Sequence, residues 1–347
     1  MKIAIIFGGS SYEHEISIVS AITIKNVVKK HTLEFIFVDS NREFYLIDAQ
    51  DMKSKLFSSK EYLKKGKKLT LQKKGFFITG LFGNKKIEFD IALNLIHGRD
   101  GEDGKLASLF EFFDVKYIGP RIEASVISFN KLYTKLYAQS LGVKTIDYRL
   151  VDINDKRDFD LTYPVIIKPL RLGSSIGVSI VKSQDELDYA LDVAFEFDEQ
   201  VIIEPFINGI KEYNLAGCFT QEWCLSIIEE PQKEEFLDFE KKYLDFARDN
   251  RVSEVNIENS LKERIEECFK GIYGSLFMGA IIRCDFFVID DEVYLNEINP
   301  IPGSLANYLF DDFDKVLEEV ATNLPTQKNI KIDYLYINNI QKAKGKA

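Results

Sequence analysis

The stretch RCDFFVIDDEVYLNEINPIPG, residues 283–303, carries polar side chains at regular intervals on both sides of an acidic turn. Arg283 and Asp285 are two residues apart, and so are Glu297 and Asn299, which puts each pair on one face of an extended strand. The two aspartates between the pairs are typical of a tight turn. The stretch therefore predicts a β-hairpin in which Asp285 lies opposite Glu297.

The other side chains of this hairpin are mostly apolar, namely Ile281, Ile282, Phe286, Phe287, Val288, Leu295 and Ile298. Opposed carboxylates in such surroundings are costly unless a cation lies between them. Carboxylate and amide oxygens suit Mg²⁺, which also binds substrate phosphates. We predict a magnesium site formed by Asp285, Glu297 and Asn299. The simpler alternative is a solvated face that carries these charges by chance.

Upstream, a glycine- and serine-rich loop, KPLRLGSSIG at 168–177, joins two strand-like runs, and the run 146–151 before them predicts one further strand. The backbone N–H groups of such a loop suit phosphate oxygens, and Lys168 adds a positive charge. The loop lacks the GxxxxGK[ST] pattern, which argues against a P-loop nucleotidase. Taken alone, it fits a flexible hairpin as well as a phosphate site.

The chain opens with a short apolar run, the turn GGSS at 8–11 and a segment of helical period, which together indicate an α/β domain. The turn lacks the third glycine of GxGxxG, so a structural turn is a better interpretation than a dinucleotide site. Glu13 and Glu15 open the helix, where a carboxylate either favours the helix dipole or binds a substrate ammonium. Glu204 and Glu212 lie at strand ends. Such carboxylates can accept hydrogen bonds from an adenine amine and from ribose hydroxyls, or else they are surface carboxylates.

Composition narrows the class of protein. The chain has 347 residues, which predicts two or three domains, and a net charge of −10, which argues against a nucleic-acid partner. Four cysteines without CxxC spacing and three histidines argue against a zinc site. The first apolar run, residues 3–7, is too short for a signal peptide or a membrane span. A cytoplasmic protein without a membrane partner is expected.

Together, these motifs resemble those of the D-alanine–D-alanine ligases, a family of the ATP-grasp superfamily. The residues that carry the resemblance are HEIS at 14–17, HGRDGEDG at 97–104, SFNKLYTK at 128–135, IIKPLRLGSSIGVS at 166–179, EPFINGIKEYN at 204–214, EKKYL at 240–244 and the hairpin with NEINPIPG at 296–303. The 97–104 motif combined with the 296–303 motif is highly specific. Only the stretches around 45–75 and 310–347 carry no match.

The resemblance implies an α/β and α+β fold with the three-domain ATP-grasp architecture. An N-terminal parallel α/β domain would span 1–120, a central lobe 121–207, and a C-terminal lobe with the metal and substrate site 208–347. The implied activity is the ATP-dependent, ADP-forming ligation of two D-alanines to D-alanyl-D-alanine through an acylphosphate, for peptidoglycan precursor synthesis. A homodimer is also implied.

The resemblance further implies that ATP is gripped between the second and third domains. Lys131 and Lys168 would hold the α- and β-phosphates, and Lys242 the γ-phosphate. The other implied ATP-binding residues are Ser175 in the loop, Glu204 at the adenine amine, Phe206 and Ile207 lining the adenine pocket, and Glu212 at the ribose. Asp285, Glu297 and Asn299 would bind two Mg²⁺ ions, with Glu297 bridging them and Mn²⁺ as an alternative ion.

For the amino-acid substrates, the resemblance implies that Glu15 binds the ammonium of the first D-alanine and that His97 lies beside the substrates. Arg283 and the Gly303 N–H would stabilise the oxyanion of the tetrahedral intermediate. A hydrogen-bonded set would join Glu15, Ser174 and Tyr243. Tyr308 and Leu309 would lie at the second D-alanine.

Two positions depart from the family pattern. Pro300 and Ile301 intervene before Gly303, which should stiffen the turn without removing the Gly303 N–H. Tyr308 stands where the family usually has a small serine near the carboxylate of the second substrate. Its phenol would either donate a hydrogen bond there, narrow the site or belong to the core.

Four other functions are compatible with parts of the sequence. A D-alanine–D-lactate ligase lacks the loop tyrosine, so Tyr243 favours the dipeptide product. Another ATP-grasp enzyme would use a different acceptor amine. A regulatory module that only bound nucleotide would not need Arg283. A dinucleotide-dependent reductase is disfavoured by the missing third glycine and by the predicted magnesium hairpin.

Overall fold

The computed structural model describes residues 1–80, 83–231, 252–326, 328 and 330–343. Within these ranges the strands form three sheets, of eight, four and five strands. None of the described helices is long and apolar enough to cross a membrane.

The first sheet has the strand order β6-β5-β4-β3-β2-β1-β7-β8. Its strands are β1 (Lys2–Gly8), β2 (Thr32–Val38), β3 (Phe44–Ile47), β4 (Lys67–Gln72), β5 (Gly75–Gly80), β6 (Gly83–Lys86), β7 (Ile91–Asn94) and β8 (Tyr117–Ile118). The helices of this region are α1 (His14–Val27), α2 (Ser54–Ser58), α3 (Tyr62–Lys65) and α4 (Lys105–Phe112). Strands β2, β1, β7 and β8 run parallel. The parallel part agrees with the α/β prediction, because β1 is an apolar run buried on both faces.

The second sheet is antiparallel, with the order β10-β13-β11-β12. Its strands are β10 (Arg149–Asp152), β11 (Val165–Pro169), β12 (Ser179–Val181) and β13 (Gln200–Pro205). Helices α5 (Ile122–Phe129) and α6 (Lys131–Ser140) precede it, and α7 (Gln184–Phe195) packs on it. The glycine- and serine-rich loop connects β11 to β12, as predicted.

The third sheet has the order β15-β14-β16-β17-β9. Its strands are β9 (Lys144–Thr145), β14 (Lys211–Phe219), β15 (Trp223–Glu229), β16 (Ile282–Ile289) and β17 (Glu292–Asn299). Helices α8 (Asn259–Tyr273), α9 (Phe313–Thr322) and α10 (Ile337–Ala343) belong to the same part of the chain. The strand predicted over 146–151 is present as β10 but begins three residues later, at Arg149, and the short β9 precedes it. The chain crosses between sheets there, since β9 pairs with β17 and β10 pairs with β13.

The predicted β-hairpin is confirmed. Strands β16 and β17 pair antiparallel, with Asp285 opposite Glu297 and Arg283 opposite Asn299. The turn residues 290 and 291 both have positive φ, which suits a two-residue hairpin turn. The register shifts just after Asp285, and such bulges re-aim side chains beside functional sites. Four polar side chains thus lie together at the end of the hairpin farthest from the turn.

The chain leaves this hairpin through a tight segment, Gly303–Leu309. Ser304, Leu305 and Ala306 adopt left-handed backbone angles, with φ of 47°, 53° and 50°. For residues other than glycine this conformation costs roughly 1–2 kcal/mol each, so the surroundings must hold it in place. The segment packs against α1 and so connects the third sheet to the first.

Candidate active site

The predicted metal ligands meet at the open end of the hairpin. Arg283 donates to both carboxylate oxygens of Asp285, from Nε at 2.7 Å and from Nη2 at 2.8 Å. Asn299 Nδ2 also donates to Asp285 Oδ2, at 3.0 Å. Burial raises the pKa of Asp285, and the Arg283 charge opposes that shift. The pairing compensates a carboxylate that is only 4% exposed.

The potential metal ligands at the open end of the hairpin fit magnesium, whose coordination phosphate or water oxygens would complete. They comprise the carboxylates of Asp285 and Glu297, paired across the strands, and the side-chain amide of Asn299. Across the described part of the chain, no group of three or more His, Cys, Asp or Glu side chains could hold a metal by itself. A metal ion here would need further oxygen ligands besides those of Asp285, Glu297 and Asn299.

The structure corrects the prediction that Glu15 is hydrogen-bonded to Ser174. Ser174 Oγ, in the loop between β11 and β12, donates to Oε1 of Glu13 at 2.5 Å, whereas Glu15 is exposed on the first turn of α1. Glu13 lies between two glycines. A Cβ on Gly98 would be 2.4 Å from Glu13 Oε2, and a Cβ on Gly173 would be 3.0 Å from Oε1. The carboxylate in contact with the loop is thus the one two residues earlier.

Helix geometry explains why Glu13 and not Glu15 contacts the loop. Residues two apart on a helix are separated by about 200°, so only one of these two glutamates can face inward. Glu13 precedes the first helical turn and is 6% exposed. The sequence contained one available signal. Gly98 and Gly173 both lie within motifs of the predicted site, and both lack a side chain where the Glu13 carboxylate packs.

Glu13 shares its surroundings with His97 and Glu102. Burial raises the pKa of Glu13 to about 7, and the nearby Glu102 adds to the shift. Burial also raises the pKa of Glu102 to about 8 and lowers that of His97 to about 4. At neutral pH the His97 ring is therefore uncharged, and Glu13 is close to its titration midpoint. A bound ammonium would favour the ionised form of Glu13.

Lys131, at the start of α6, connects the parts of the site. Its Nζ donates to the Leu172 carbonyl at 2.5 Å, in the loop that carries Ser174. Burial lowers its pKa, and the ammonium interacts electrostatically with Glu297, Glu13 and Glu204 as well as with a second lysine, Lys168. The Lys131 charge therefore interacts with carboxylates of three elements: the hairpin, the N-terminus of α1 and the second sheet.

Glu204 and Lys168 are brought together by the pairing of β11 with β13. Lys168 Nζ donates to Glu204 Oε2 at 2.6 Å. The other oxygen, Oε1, is 2.7 Å from Lys135 Nζ. Burial acts to raise the pKa of Glu204, but the two lysines outweigh it, and the net shift is downward. Glu204 is thus a buried carboxylate with a cation on each oxygen.

Lys135 was missed by the sequence interpretation. It is 3% exposed and also donates to the Ile146 carbonyl at 2.9 Å. The signal was its place four residues after Lys131, inside the SFNKLYTK motif, which puts both ammonium groups on one face of α6.

The other predicted nucleotide residues lie on the second and third sheets or in their loops. Ser175 follows Ser174 in the loop, with a positive φ of 58°. Phe206 and Ile207 come directly after β13 and are half-buried. Glu212 is on β14, paired in register with Phe287 of β16. Lys242 and Tyr243 lie outside the described residues.

Tyr308 lies beside the hairpin but its hydroxyl has a partner. It donates to Glu229 Oε2 at 3.0 Å, and the residue packs against the core of the third sheet. Burial raises the pKa of Glu229, and the hydrogen bond from Tyr308 opposes that shift. The neighbouring Leu309 is buried. The ring thus packs against the core, as one of the three predicted arrangements has it, and the hydroxyl is directed to a protein carboxylate, which none of them included.

Family models match most of the chain. The model described as the D-ala D-ala ligase N-terminus matches residues 2–120, and the model described as the D-ala D-ala ligase C-terminus matches residues 139–313. Among curated relatives, the D-alanine--D-alanine ligase of a Sulfurovum species is 65% identical, and that of Wolinella succinogenes is 62% identical, each over 100% of both chains.

Solved structures give the same result. The crystal structure of the D-alanine-D-alanine ligase from Helicobacter pylori is 51% identical in sequence, with a TM-score of 0.84. The similarity covers 94% of this chain and 100% of that one.

Proposed function

This chain belongs to the D-alanine–D-alanine ligase family, with its ATP-grasp fold, and we propose that it uses ATP to join two D-alanines into D-alanyl-D-alanine. The reaction passes through an acylphosphate, forms ADP and phosphate, and supplies peptidoglycan precursors. The observation that carries this assignment within the structure is the position of Lys131, whose charge interacts with Glu13, Glu204 and Glu297 together. These carboxylates would serve the amino acid, the nucleotide and the metal.

Phosphoryl transfer to the carboxylate of the first D-alanine makes it a good electrophile. Lys131 and Lys168 would hold the α- and β-phosphates, and Lys242 the γ-phosphate. In the structure Lys131 donates to the Leu172 carbonyl in the glycine- and serine-rich loop. Lys168, at the start of that loop, donates to Glu204. Glu204 would accept a hydrogen bond from the adenine amine, beside Phe206 and Ile207.

Asp285, Glu297 and Asn299 would hold the magnesium ions, with Glu297 shared between them. When bound, the ions would offset the negative charge of the reacting phosphates. Arg283 lies beside these ligands through its bond to Asp285. Arg283 and the Gly303 N–H would then stabilise the oxyanion that forms when the second amine attacks.

The first D-alanine would bind through its ammonium to Glu13 instead of Glu15. The support is the contact of Glu13 with Ser174, because that contact closes the loop over the entrance of α1. Exclusion of water protects the hydrolysable acylphosphate. The second D-alanine would lie near Tyr308 and Leu309. From the family resemblance we also propose a homodimer in the cytoplasm.

The proposed function is tested with purified protein, ATP, Mg²⁺ and D-alanine. We expect ADP, phosphate and D-alanyl-D-alanine in equal amounts, and little depsipeptide when D-lactate is added as competitor at near-neutral pH. Tyr243 is the reason for the second expectation, since lactate-using relatives lack it. Product analysis by mass spectrometry measures both. Phosphate release without dipeptide, or comparable yields of dipeptide and depsipeptide, would contradict the proposal.

Replacing Tyr308 should affect the second D-alanine selectively. The ring occupies a place where the family usually has a serine, so we expect a larger KM for the second D-alanine than for the first. In Tyr308→Ser the second KM should fall about fivefold, which corresponds to about 1 kcal/mol of binding, and the first should stay within twofold.

Tyr308→Phe is the matched control, because it keeps the ring and removes only the hydrogen bond to Glu229. Steady-state kinetics fitted with two D-alanine constants distinguish the variants. If the two constants move together in Tyr308→Ser, or if only thermal stability changes, Tyr308 is a core residue and not part of the second site.

A further inference from the structure

Ser20, on the inner face of α1, joins two motifs that are far apart in the chain. Its side chain is completely buried. The hydroxyl oxygen lies 2.8 Å from Nε2 of His97 and accepts a hydrogen bond from the Ser304 N–H at 3.1 Å. His97 begins the HGRDGEDG motif, and Ser304 follows Gly303 directly. One hydroxyl therefore joins the predicted substrate histidine to the residue that follows the predicted oxyanion donor.

The direction of each hydrogen bond follows from the available protons. A backbone N–H can only donate, so the Ser20 oxygen is the acceptor for Ser304. Among the described residues, the only other hydrogen-bond partner of this hydroxyl is His97 Nε2. The single hydroxyl proton must then point to Nε2, because otherwise it would be buried without an acceptor. Nε2 is thus an acceptor, and the ring proton is on Nδ1.

A second interaction of the His97 ring is compatible with this tautomer. His97 has a backbone hydrogen bond with Ile301 that favours the protonated ring, as a carbonyl acceptor does. With Nε2 occupied by Ser20, the N–H that meets this carbonyl is the one on Nδ1. Nδ1 is also 3.7 Å from Oε1 of Glu102. His97 consequently holds the turn at Ile301 directly and at Ser304 through Ser20.

This turn needs external support. Ser304, Leu305 and Ala306 are all in the left-handed region, which side chains disfavour. Inside the turn, the Leu305 N–H donates to the Pro302 carbonyl at 2.7 Å. The Ser304 N–H instead points out of the turn and donates to the Ser20 hydroxyl. The orientation of the peptide between Gly303 and Ser304 is therefore set from α1, across the boundary between the first and third sheets.

We propose that Ser20 is a positioning residue for ligation: it keeps His97 in the Nδ1-protonated tautomer and anchors the Ser304 N–H, which fixes the turn next to the Gly303 N–H, the proposed oxyanion donor. The inference rests on the proposed function for the meaning of the oxyanion, but the tautomer and the hydrogen bond are independent of activity. It concerns neither nucleotide nor metal. Loss of Ser20 should therefore reduce kcat more than it changes the KM for ATP.

The first test is nuclear magnetic resonance of ¹⁵N-histidine-labelled protein without substrates. The chain has only three histidines, His14, His31 and His97, and His97→Gln identifies the signal. We expect the wild-type His97 to have a protonated Nδ1 and an unprotonated Nε2. Ser20→Ala should produce a mixture of tautomers or the Nε2-protonated form. A wild-type ring protonated on Nε2 would overturn the proposal without any variant.

The matched control is Ser17→Ala. Ser17 is also a fully buried serine of α1, but its hydroxyl accepts from the Gly8 N–H at the end of β1 and donates to the Leu95 carbonyl just after β7. It should lose stability as Ser20→Ala does, with the His97 tautomer and kcat close to wild type. Circular dichroism shows that each variant is folded.

For Ser20→Ala we expect kcat to fall by about 10- to 100-fold, since small misplacements of catalytic groups have effects of this size. Ser20→Thr restores a hydroxyl and should return the wild-type tautomer and most of the lost kcat. A folded Ser20→Ala with wild-type tautomer and kcat would refute the role of Ser20. If wild-type protein makes no dipeptide while the tautomer responds as described, the proposed function fails and the positioning contact stands.

Discussion

Glu297→Gln is expected to reduce ATP-dependent phosphate release by at least about 1,000-fold, or about 4 kcal/mol in the activation barrier. Glu297 lies opposite Asp285 in the hairpin and is proposed to be shared by both magnesium ions. Glutamine keeps the shape of the side chain but removes the charge, and a neutral amide is a much weaker ligand for Mg²⁺. The measurement is coupled phosphate release at saturating ATP and D-alanine over a range of Mg²⁺ concentrations.

The fold should not suffer from this change. Removing one of two opposed carboxylates relieves repulsion in a buried hairpin, so thermal unfolding of Glu297→Gln should occur at or above the wild-type temperature. Glu292→Gln is the control, because Glu292 begins the same strand and forms an exposed ion pair with Lys144 at 3.3 Å. Near-normal turnover by Glu297→Gln would mean that the metal assignment is wrong.

Glu13→Gln is expected to raise the KM for the first D-alanine by about 100-fold, since removing one partner of a buried charge pair costs about 2–5 kcal/mol. Glu15→Gln should change this constant by less than about twofold, since Glu15 is solvent-exposed and surface substitutions have small effects. The two variants remove the same charge two residues apart, so each controls for the other. The reverse result would restore the role that the sequence predicted for Glu15.

The pH dependence provides a second measurement. The pKa of Glu13 is raised by burial to about 7, so below that pH the carboxyl is mostly protonated in the free enzyme. An ammonium pairs with the ionised form, and affinity for the first D-alanine should therefore rise as the pH increases through about 7. The limiting slope at lower pH is about tenfold per pH unit for one proton. In Glu13→Gln this dependence should disappear, whereas Glu15→Gln should keep it.

The sequence by itself determined the parts of the site that depend on local spacing. The hairpin is the clearest case. A strand period of two and a two-residue turn specify which residues face each other, so the pairing of Asp285 with Glu297 follows from the sequence alone. The loop between β11 and β12 was recognised for the same reason, because glycine and serine between two apolar runs indicate a connection with exposed backbone.

Local spacing could not determine which side chains meet across elements. Ser174 bonds Glu13 and not Glu15, at a sequence separation of 161 residues. Which of the two glutamates it meets depends on how the loop of the second sheet packs against α1. The two short strands β9 and β10 belong to different sheets for a similar reason. No period within 144–152 shows that the chain crosses there.

Burial and protonation were decided only by the tertiary structure. Three contacts join separate elements: the ion pair of Lys135 with Glu204, the hydrogen bond from Tyr308 to Glu229, and the hydrogen bonds that link His97 through Ser20 to Ser304. Each depends on removing polar groups from water, after which every proton and lone pair needs a specific partner. Sequence spacing identifies the residue types that can form such partners, but packing determines which of them are enclosed together and hence how they are charged.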